Sequence, residues 1–176
     1  MKVFRQCFTE HDIKNTEEYR IGDKIKIDLK GFGNFVATIQ SIKEDAILCI
    51  FDEVISLHSH DGIQEWLDTE VKTAFPEDLK VRSITIPSYG QIFGWSDYTI
   101  EQSLTKDYHE QLPLMENRKN RVCFFDGELC WWLLKNKGTH FSEHCGIVDS
   151  YGDITITGSS FNEGVRPIFW LSIKED

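Results

Sequence analysis

Hydrophobic and polar residues alternate over the first third of the chain in the pattern that is typical of β-strands. The stretch "DKIKIDLK" places Ile25, Ile27 and Leu29 between charged residues, which predicts a strand with one buried face. The stretch "GFGNFVATIQSI" follows a glycine turn and predicts a second strand. Because "AILCIF" is apolar without a break, we expect a central strand that is covered on both faces. Together these patterns predict an N-terminal β segment over about 20–60.

After this β segment the apolar residues recur at helical spacing. They predict an amphipathic helix over 62–75, with Asp61 as its cap and Pro76 at its end. The apolar positions of this helix are Ile63, Trp66, Leu67, Val71, Ala74 and Phe75. A second short helix is predicted around Tyr89, after a strand that ends at Pro87. The segment 96–120 is polar and long, which is typical of a functional or mobile loop.

The last third of the chain returns to strands. Asp126-Gly127 between two apolar runs predicts a β-hairpin, and a second hairpin is predicted near Gly152-Asp153. Pro167 is expected to start the last strand, "IFWLSI". The pattern as a whole predicts a single α+β domain of residues 1–176. It consists mainly of a curled antiparallel sheet with one clear amphipathic helix and a second short helix, and its C-terminal β part covers about 120–174.

Two motifs in this C-terminal part, "CWWLL" and "GVRPIFWL", resemble a domain family of unknown function from prophages and Firmicutes. The resemblance runs from about Gly22 to Ile173. Trp131-Trp132-Leu133 and Gly164-Val165-Arg166-Pro167 look like the ends of a C-type-lectin-like module, similar to the formylglycine-generating enzymes. The resemblance implies a C-type-lectin-like scaffold that displays a variable surface between the two motifs, and it implies no known reaction. The calcium-binding triplets of the lectins are absent from the sequence, and Leu134 stands where the family more often has arginine.

Composition narrows the classes of partner. The chain of 176 residues has 29 acidic and 19 basic residues and a formal net charge of −10, which disfavours direct nucleic-acid binding because phosphates need a basic surface. No apolar run approaches the roughly 20 residues of a membrane span, and the opening "MKVFRQCFTEHDIK" has no apolar core of signal-peptide length. Five cysteines without a CxxC motif indicate free thiols. We therefore expect a cytoplasmic protein of the bacterial host, without membrane contact.

The predicted binding surface lies in and around the polar segment between the two motifs, because loops on a rigid sheet commonly carry recognition. Strand alternation points one ring of the Trp131-Trp132 pair outward, and the outward ring is the better candidate for binding. Arg166 is predicted to be a partly buried structural clamp that pairs with a carboxylate or with backbone carbonyls. The candidate binding residues are Trp132, Lys135, Asn136, Lys137, His140, Ser142, His144, Tyr151, Asp153, Phe161 and Asn162.

No cofactor is expected, although five side chains are secondary candidates for a metal site: His58, His60, His140, His144 and Cys145. A nucleophilic pair of Cys145 with His109 has no supporting motif. The first functional hypothesis is a non-enzymatic binding module of a phage or mobile element, with a protein as its partner or, alternatively, a glycan. The second is an acidic inhibitor of a host nucleic-acid-targeting defence system. The third is a metal- or Cys/His-dependent enzyme. We expect a monomer or a weak dimer.

Overall fold

The structure of the protein is a computed structural model, which describes residues 2–5, 9–12, 18–95 and 103–173. The strands are β1 Lys2–Arg5, β2 Thr9–Asp12, β3 Lys24–Leu29, β4 Gly33–Ile42, β5 Ala46–Phe51, β6 Ser56–Ser59, β7 Val81–Thr85, β8 Cys123–Phe125, β9 Glu128–Cys130, β10 Trp132–Lys137, β11 His144–Val148, β12 Ile154–Gly158, β13 Asn162–Val165 and β14 Ile168–Ser172. Nearly all of the strand pairs are antiparallel, which confirms the predicted α+β class.

Two short helices interrupt the strands. Helix α1, Ile63–Trp66, continues as a π-helical turn, Leu67–Val71, and a 3-10 turn, Lys72–Ala74. Helix α2 is Tyr89–Phe93, and further 3-10 turns are Pro113–Glu116 and Arg118–Asn120. Both predicted helices are thus present. In the described part of the chain, neither they nor the turns are long and apolar enough to cross a membrane.

The expected cap of the first helix is wrong. The helix begins at Ile63, so Asp61 lies two residues before its first helical residue. The Asp61 carboxylate instead accepts a hydrogen bond of 3.1 Å from the Ser159 hydroxyl. The predicted end is confirmed, because Phe75, which precedes Pro76, is already extended at ψ 147°.

The contacts within the chain form two compact units. Unit 1 comprises Met1–Asp52, Glu65–Thr85 and Pro167–Asp176, and unit 2 comprises Glu53–Gln64 and Ile86–Arg166. Each unit has a sheet of its own.

Unit 1 is built on a seven-stranded sheet with the order β2-β1-β3-β4-β5-β14-β7. Strand β5 lies between two neighbours and all six of its residues are buried, as predicted for a central strand. Strand β3 buries Ile25, Ile27 and Leu29 and exposes the residues between them, which also confirms its prediction. Against this sheet, the rings of Phe51, Phe75 and Phe169 pack at centroid distances of 4.9–6.0 Å.

Unit 2 contains a five-stranded sheet with the order β12-β11-β10-β13-β6, and the separate hairpin β8-β9. Asp126 (φ 51°) and Gly127 (φ 84°) both adopt the positive φ of a type I′ turn, so the first predicted hairpin is confirmed. The second joins β11 to β12 and has Gly152 at φ 79°. The predicted C-terminal β part over 120–174 divides between the sheets, because β14 pairs with β5 and β7 of unit 1.

The two signature motifs of the C-terminal part meet in unit 2. Trp132 of β10 pairs with Gly164 of β13 in the parallel pair of this sheet. A Cβ atom on Gly164 would lie 2.5 Å from the Trp131 carbonyl oxygen, so a larger residue cannot occupy this position without a shift of the backbone. Arg166 is only 4% exposed, donates to the Asn120 carbonyl at 2.9 Å and lies over the Trp132 ring. Arg166 is thus buried and bonded to a backbone carbonyl, and its role as a clamp stays a prediction.

Candidate functional site

Strand β10 places one ring of the tryptophan pair inside unit 2 and the other outside. Trp132 is fully buried and its indole N–H donates to the Arg121 carbonyl at 2.8 Å, whereas Trp131 is 45% exposed. The alternation of the pair is as predicted, but the choice of Trp132 as a binding residue is wrong. The exposed ring belongs to Trp131.

Asn136 is also unavailable to a ligand. It is buried, its side-chain oxygen accepts the Tyr89 N–H at 2.6 Å, and its amide nitrogen donates to the Thr105 carbonyl and to the Asp107 carboxylate. These bonds connect strand β10 to the start of α2 and to the segment that contains Thr105 and Asp107. The prediction of Asn136 as a binding residue is corrected to a structural role.

Asp107 completes this polar network. Its carboxylate accepts hydrogen bonds from the Ser88 hydroxyl and from the N–H groups of Gly90 and His109, in addition to the bond from Asn136. Burial alone would raise the pKa of Asp107, but these donors together hold the pKa below its ordinary value. The Asp107 carboxylate is thus charged and already accepts four hydrogen bonds. It is suited to holding α2 in place rather than to general acid or base chemistry.

Two exposed phenylalanines lie against neighbouring residues at one end of the unit 2 sheet. Phe161 packs over Gly158, with ring atoms 3.2 and 3.3 Å from the position that a Cβ atom would take. Gly158 pairs with His144 across β12 and β11, and the ring of His144 contacts Phe141 edge to face at a centroid distance of 5.6 Å. The exposed fractions of Phe141 and Phe161 are 63% and 62%. We call Phe141, His144, Gly158 and Phe161 the aromatic tip.

Ile156 of strand β12 lies on the same face of the sheet as the aromatic tip. Residues directly opposite each other in an antiparallel pair share a face, and alternate residues of one strand do as well. Ile156 therefore lies on the same face as Gly158 and His144, and its side chain is exposed. Ile156 and the aromatic tip therefore lie on one face of the sheet.

The opposite face of β11 carries the thiol of Cys145 beside several charged groups. Burial raises the pKa of the Cys145 thiol to about 12, the carboxylates of Asp61 and Glu163 add to this effect, and Lys137 acts against it. Only the thiolate is an effective nucleophile. Cys145 is therefore poorly suited to the nucleophilic role that a Cys/His enzyme would need.

His60 lies near the same charged groups. Its Nε2 is 3.2 Å from the Lys135 carbonyl oxygen, while its buried Nδ1 has no hydrogen-bond partner in the described structure. Burial is the main reason that the pKa of His60 is lowered, and the positive charge of Lys137 contributes. His60 is thus a neutral, largely structural imidazole at pH 7.

The remaining candidate binding residues lie at both ends of the β11-β12 hairpin. The exposed residues that are close in sequence to the aromatic tip are Lys135, Lys137, His140, Ser142 and Asn162. Tyr151 and Asp153 lie in the turn at the other end, where Arg118 donates to the Tyr151 carbonyl and pairs with the Asp153 carboxylate. The structure therefore does not bring Tyr151 and Asp153 to the aromatic tip.

The secondary metal candidates do not form a ligand set. Within the described ranges, no three His, Cys, Asp or Glu side chains converge in a way that could hold a metal ion. His144 and Cys145 are neighbours on strand β11, so their side chains point to opposite faces. The Nδ1 atom of His58 lies 2.7 Å from the Ser59 carbonyl oxygen.

Phe141, Ile156 and Gly158 are the residues of this surface that the sequence prediction did not include. Phe141 is a large apolar residue inside the polar stretch "GTHFSEH", and such a residue in a loop is the signal that could have identified it. Ile156 follows the ordinary strand alternation of "ITIT", so its exposure depends on its place at the edge of the sheet.

Comparison with known proteins does not identify the site. The chain matches no protein-family model, no curated protein and no solved structure. The functional argument therefore depends on the geometry of unit 2.

Proposed function

We propose that this protein is a non-enzymatic binding module of a phage or mobile element, and that it recognises a protein partner through the aromatic tip. The observation that carries the proposal is the exposure of Phe141, which contacts His144, and of Phe161, which covers Gly158, the cross-strand partner of His144. Contiguous exposed apolar surface that is rimmed by polar residues is typical of protein interaction sites, and aromatic residues are enriched at such interfaces.

Backbone hydrogen bonds fix the loops that carry Phe141 and Phe161. The Ser159 N–H donates to the Glu143 carbonyl at 2.6 Å, and the Gly138 N–H donates to the His144 carbonyl at 2.8 Å. These bonds hold the loops that carry Phe141 and Phe161 onto the sheet. Burying the exposed part of both rings would contribute about 2–4 kcal/mol to binding, and a preorganised surface loses little of this to ordering.

The scaffold of the proposed module is C-type-lectin-like. This part of the proposal is supported by the direct pairing of Trp132 with Gly164, which brings the "CWWLL" and "GVRP" motifs together on neighbouring strands. The loops between these motifs carry the aromatic tip. A scaffold of this kind would present the loops as its variable surface.

The alternative, an acidic inhibitor, depends on how the negative charge is arranged over the surface. Both units have more acidic than basic residues, so the acidic excess is shared by unit 1 and unit 2. An inhibitor that occupies a nucleic-acid channel would need its negative charge gathered on one surface.

The proposal is tested by quantitative affinity capture from a host-cell lysate. The wild-type protein is compared with a Phe141→Ala/Phe161→Ala double variant and with Tyr108→Ala as the matched control, because Tyr108 is an exposed aromatic residue outside the aromatic tip. We expect the double variant to retain about a tenth or less of the captured partner, which corresponds to 1.4 kcal/mol or more.

Tyr108→Ala should capture as much partner as the wild type, and all three proteins should have the same circular dichroism spectrum and melting temperature. Equal recovery by the double variant and the wild type would contradict the proposed function.

A further inference from the structure

Strand β12 forms an edge of the unit 2 sheet. In the described part of the chain it pairs with β11 on one side and with no strand on the other. An open strand edge presents backbone N–H and C=O groups that can pair with another chain.

The hydrogen bonds of the hairpin show which groups of β12 face outward. The Asp149 N–H donates to the Asp153 carbonyl at one end, and the Ser159 N–H donates to the Glu143 carbonyl at the other. Because hydrogen-bonded and non-hydrogen-bonded pairs alternate along an antiparallel ladder, Thr155 and Thr157 direct their backbone groups to β11. The N–H and C=O groups of Ile154 and Ile156 therefore point away from the sheet.

The edge formed by β12 is not protected in the usual ways. Edge strands are commonly protected by charged residues, proline or a bulge. The sequence of β12, "ITITG", has no charged residue and no proline, and its pairing with β11 is regular. By contrast, the edge strands of the unit 1 sheet contain charged residues: "TEHD" in β2 and Arg82 in β7.

This open edge is continuous with the aromatic tip. Gly158 ends β12 and is covered by the Phe161 ring, and Ile156 lies on the same face two residues earlier. A strand that pairs with β12 would place every second side chain on this face, next to Ile156 and Phe161.

We propose that β12 receives an extended, basic segment of the protein partner as an additional strand of the sheet, with apolar side chains of that segment against Ile156 and Phe161. This inference rests on the proposed function and specifies how the partner binds. The formal net charge of −10 and the exposed Glu143 at the aromatic tip favour a basic segment. The same charge disfavours a second copy of this chain as the occupant, because two acidic copies repel each other.

The probe is a seven-residue peptide of alternating valine and threonine with a lysine at each end. It is compared with a counterpart that ends in glutamates and with a lysine-ended peptide that has proline at its centre. Binding to the wild-type protein is followed by the backbone amide signals in a two-dimensional NMR titration. We expect the Ile154 and Ile156 amides to shift most. Both control peptides should bind with an affinity at least about tenfold lower.

Two variants test the role of the strand edge. Ile156→Pro removes an outward N–H and leaves the bonds to β11 intact, so it should fold and lose about tenfold or more in affinity for the lysine-ended peptide. Ile156→Val keeps the N–H and should bind like the wild type.

Amide shifts away from β12, or equal binding of the three peptides to the wild-type protein, would overturn the inference. So would a dimer in analytical ultracentrifugation that Ile156→Pro dissociates, since the edge would then serve a second copy. If Ile156→Pro still captures the lysate partner while Phe141→Ala/Phe161→Ala does not, the inference fails and the proposed function stands.

Discussion

Unit 1 and unit 2 differ in where they place their large apolar side chains. Among the described residues, the large apolar side chains exposed to solvent lie in unit 2, with the exception of Ile21 in unit 1. Unit 1 buries the whole of β5 and packs Phe51, Phe75 and Phe169 together. Both units bury polar groups, such as Gln40 in unit 1 and Asn136 in unit 2, but unit 2 leaves Phe141 and Phe161 exposed. The difference is the exposed apolar area of unit 2, where the proposed recognition surface lies.

The largest expected effect tests the apolar interior of unit 1. Phe51→Ala should lower the free energy of unfolding by about 3–5 kcal/mol, because a fully buried ring is replaced by a cavity. The measurement is urea denaturation followed by circular dichroism. The control is Leu129→Ala in unit 2, whose side chain is exposed and whose loss should cost about 0.5 kcal/mol or less. Similar losses in both variants would break the comparison between the units.

The next effect concerns the polar interior of unit 2. Asn136→Leu keeps the number and branching of the side-chain heavy atoms but removes the hydrogen bonds of Asn136 to the Tyr89 N–H and to the Thr105 carbonyl. We expect a loss of about 2–4 kcal/mol in the free energy of unfolding. Asn162→Leu, at an exposed position, serves as the control and should change stability little. A neutral Asn136→Leu variant would show that the network of Asn136 and Asp107 does not stabilise unit 2.

The smallest effect is a pH dependence that originates from His60. Its pKa is lowered in the folded protein, so the unfolded chain binds the proton first and stability is lost as the pH falls below about 6.5. Between pH 7.5 and 5.5 the wild type should lose stability more steeply than His60→Gln, by at most about 1.4 kcal/mol per pH unit. The check is urea denaturation across this range, together with an NMR titration of the His60 ring. A His60 midpoint above 6.5, or equal slopes for both proteins, would contradict this assignment.

The strands that the sequence predicts well are those whose signal is local. The alternation in β3, the unbroken apolar run of β5 and the Asp126-Gly127 turn each depend on neighbouring residues, and all three are present. The sheet that β14 joins could not be predicted, because it depends on pairing with strands far away in the sequence. Local pattern therefore determined the elements but not their assignment to sheets.

The candidate site shows the same limit at the level of side chains. Alternation requires that one of Trp131 and Trp132 is buried, but it does not say which, since that depends on what covers each face of the sheet. Asn136 is a polar residue in a strand, so the sequence pattern suggests that it is exposed. In the structure it is buried, and its amide donates hydrogen bonds to the Thr105 carbonyl and the Asp107 carboxylate. Phe161 is exposed, as an aromatic residue in a polar loop suggests, and its binding role stays a prediction.

The position of β14 has a consequence for synthesis on the ribosome. Strand β14 is translated after both segments of unit 2, yet it lies between β5 and β7 in the unit 1 sheet. Until Ile168–Ser172 emerges, the nascent chain can assemble unit 2 while β5 lacks one of its two neighbours. Such an unpaired apolar strand is prone to aggregation. A chain that stalls before Ile168 would therefore expose the unpaired edge of the apolar strand β5, which chaperones and proteases could recognise.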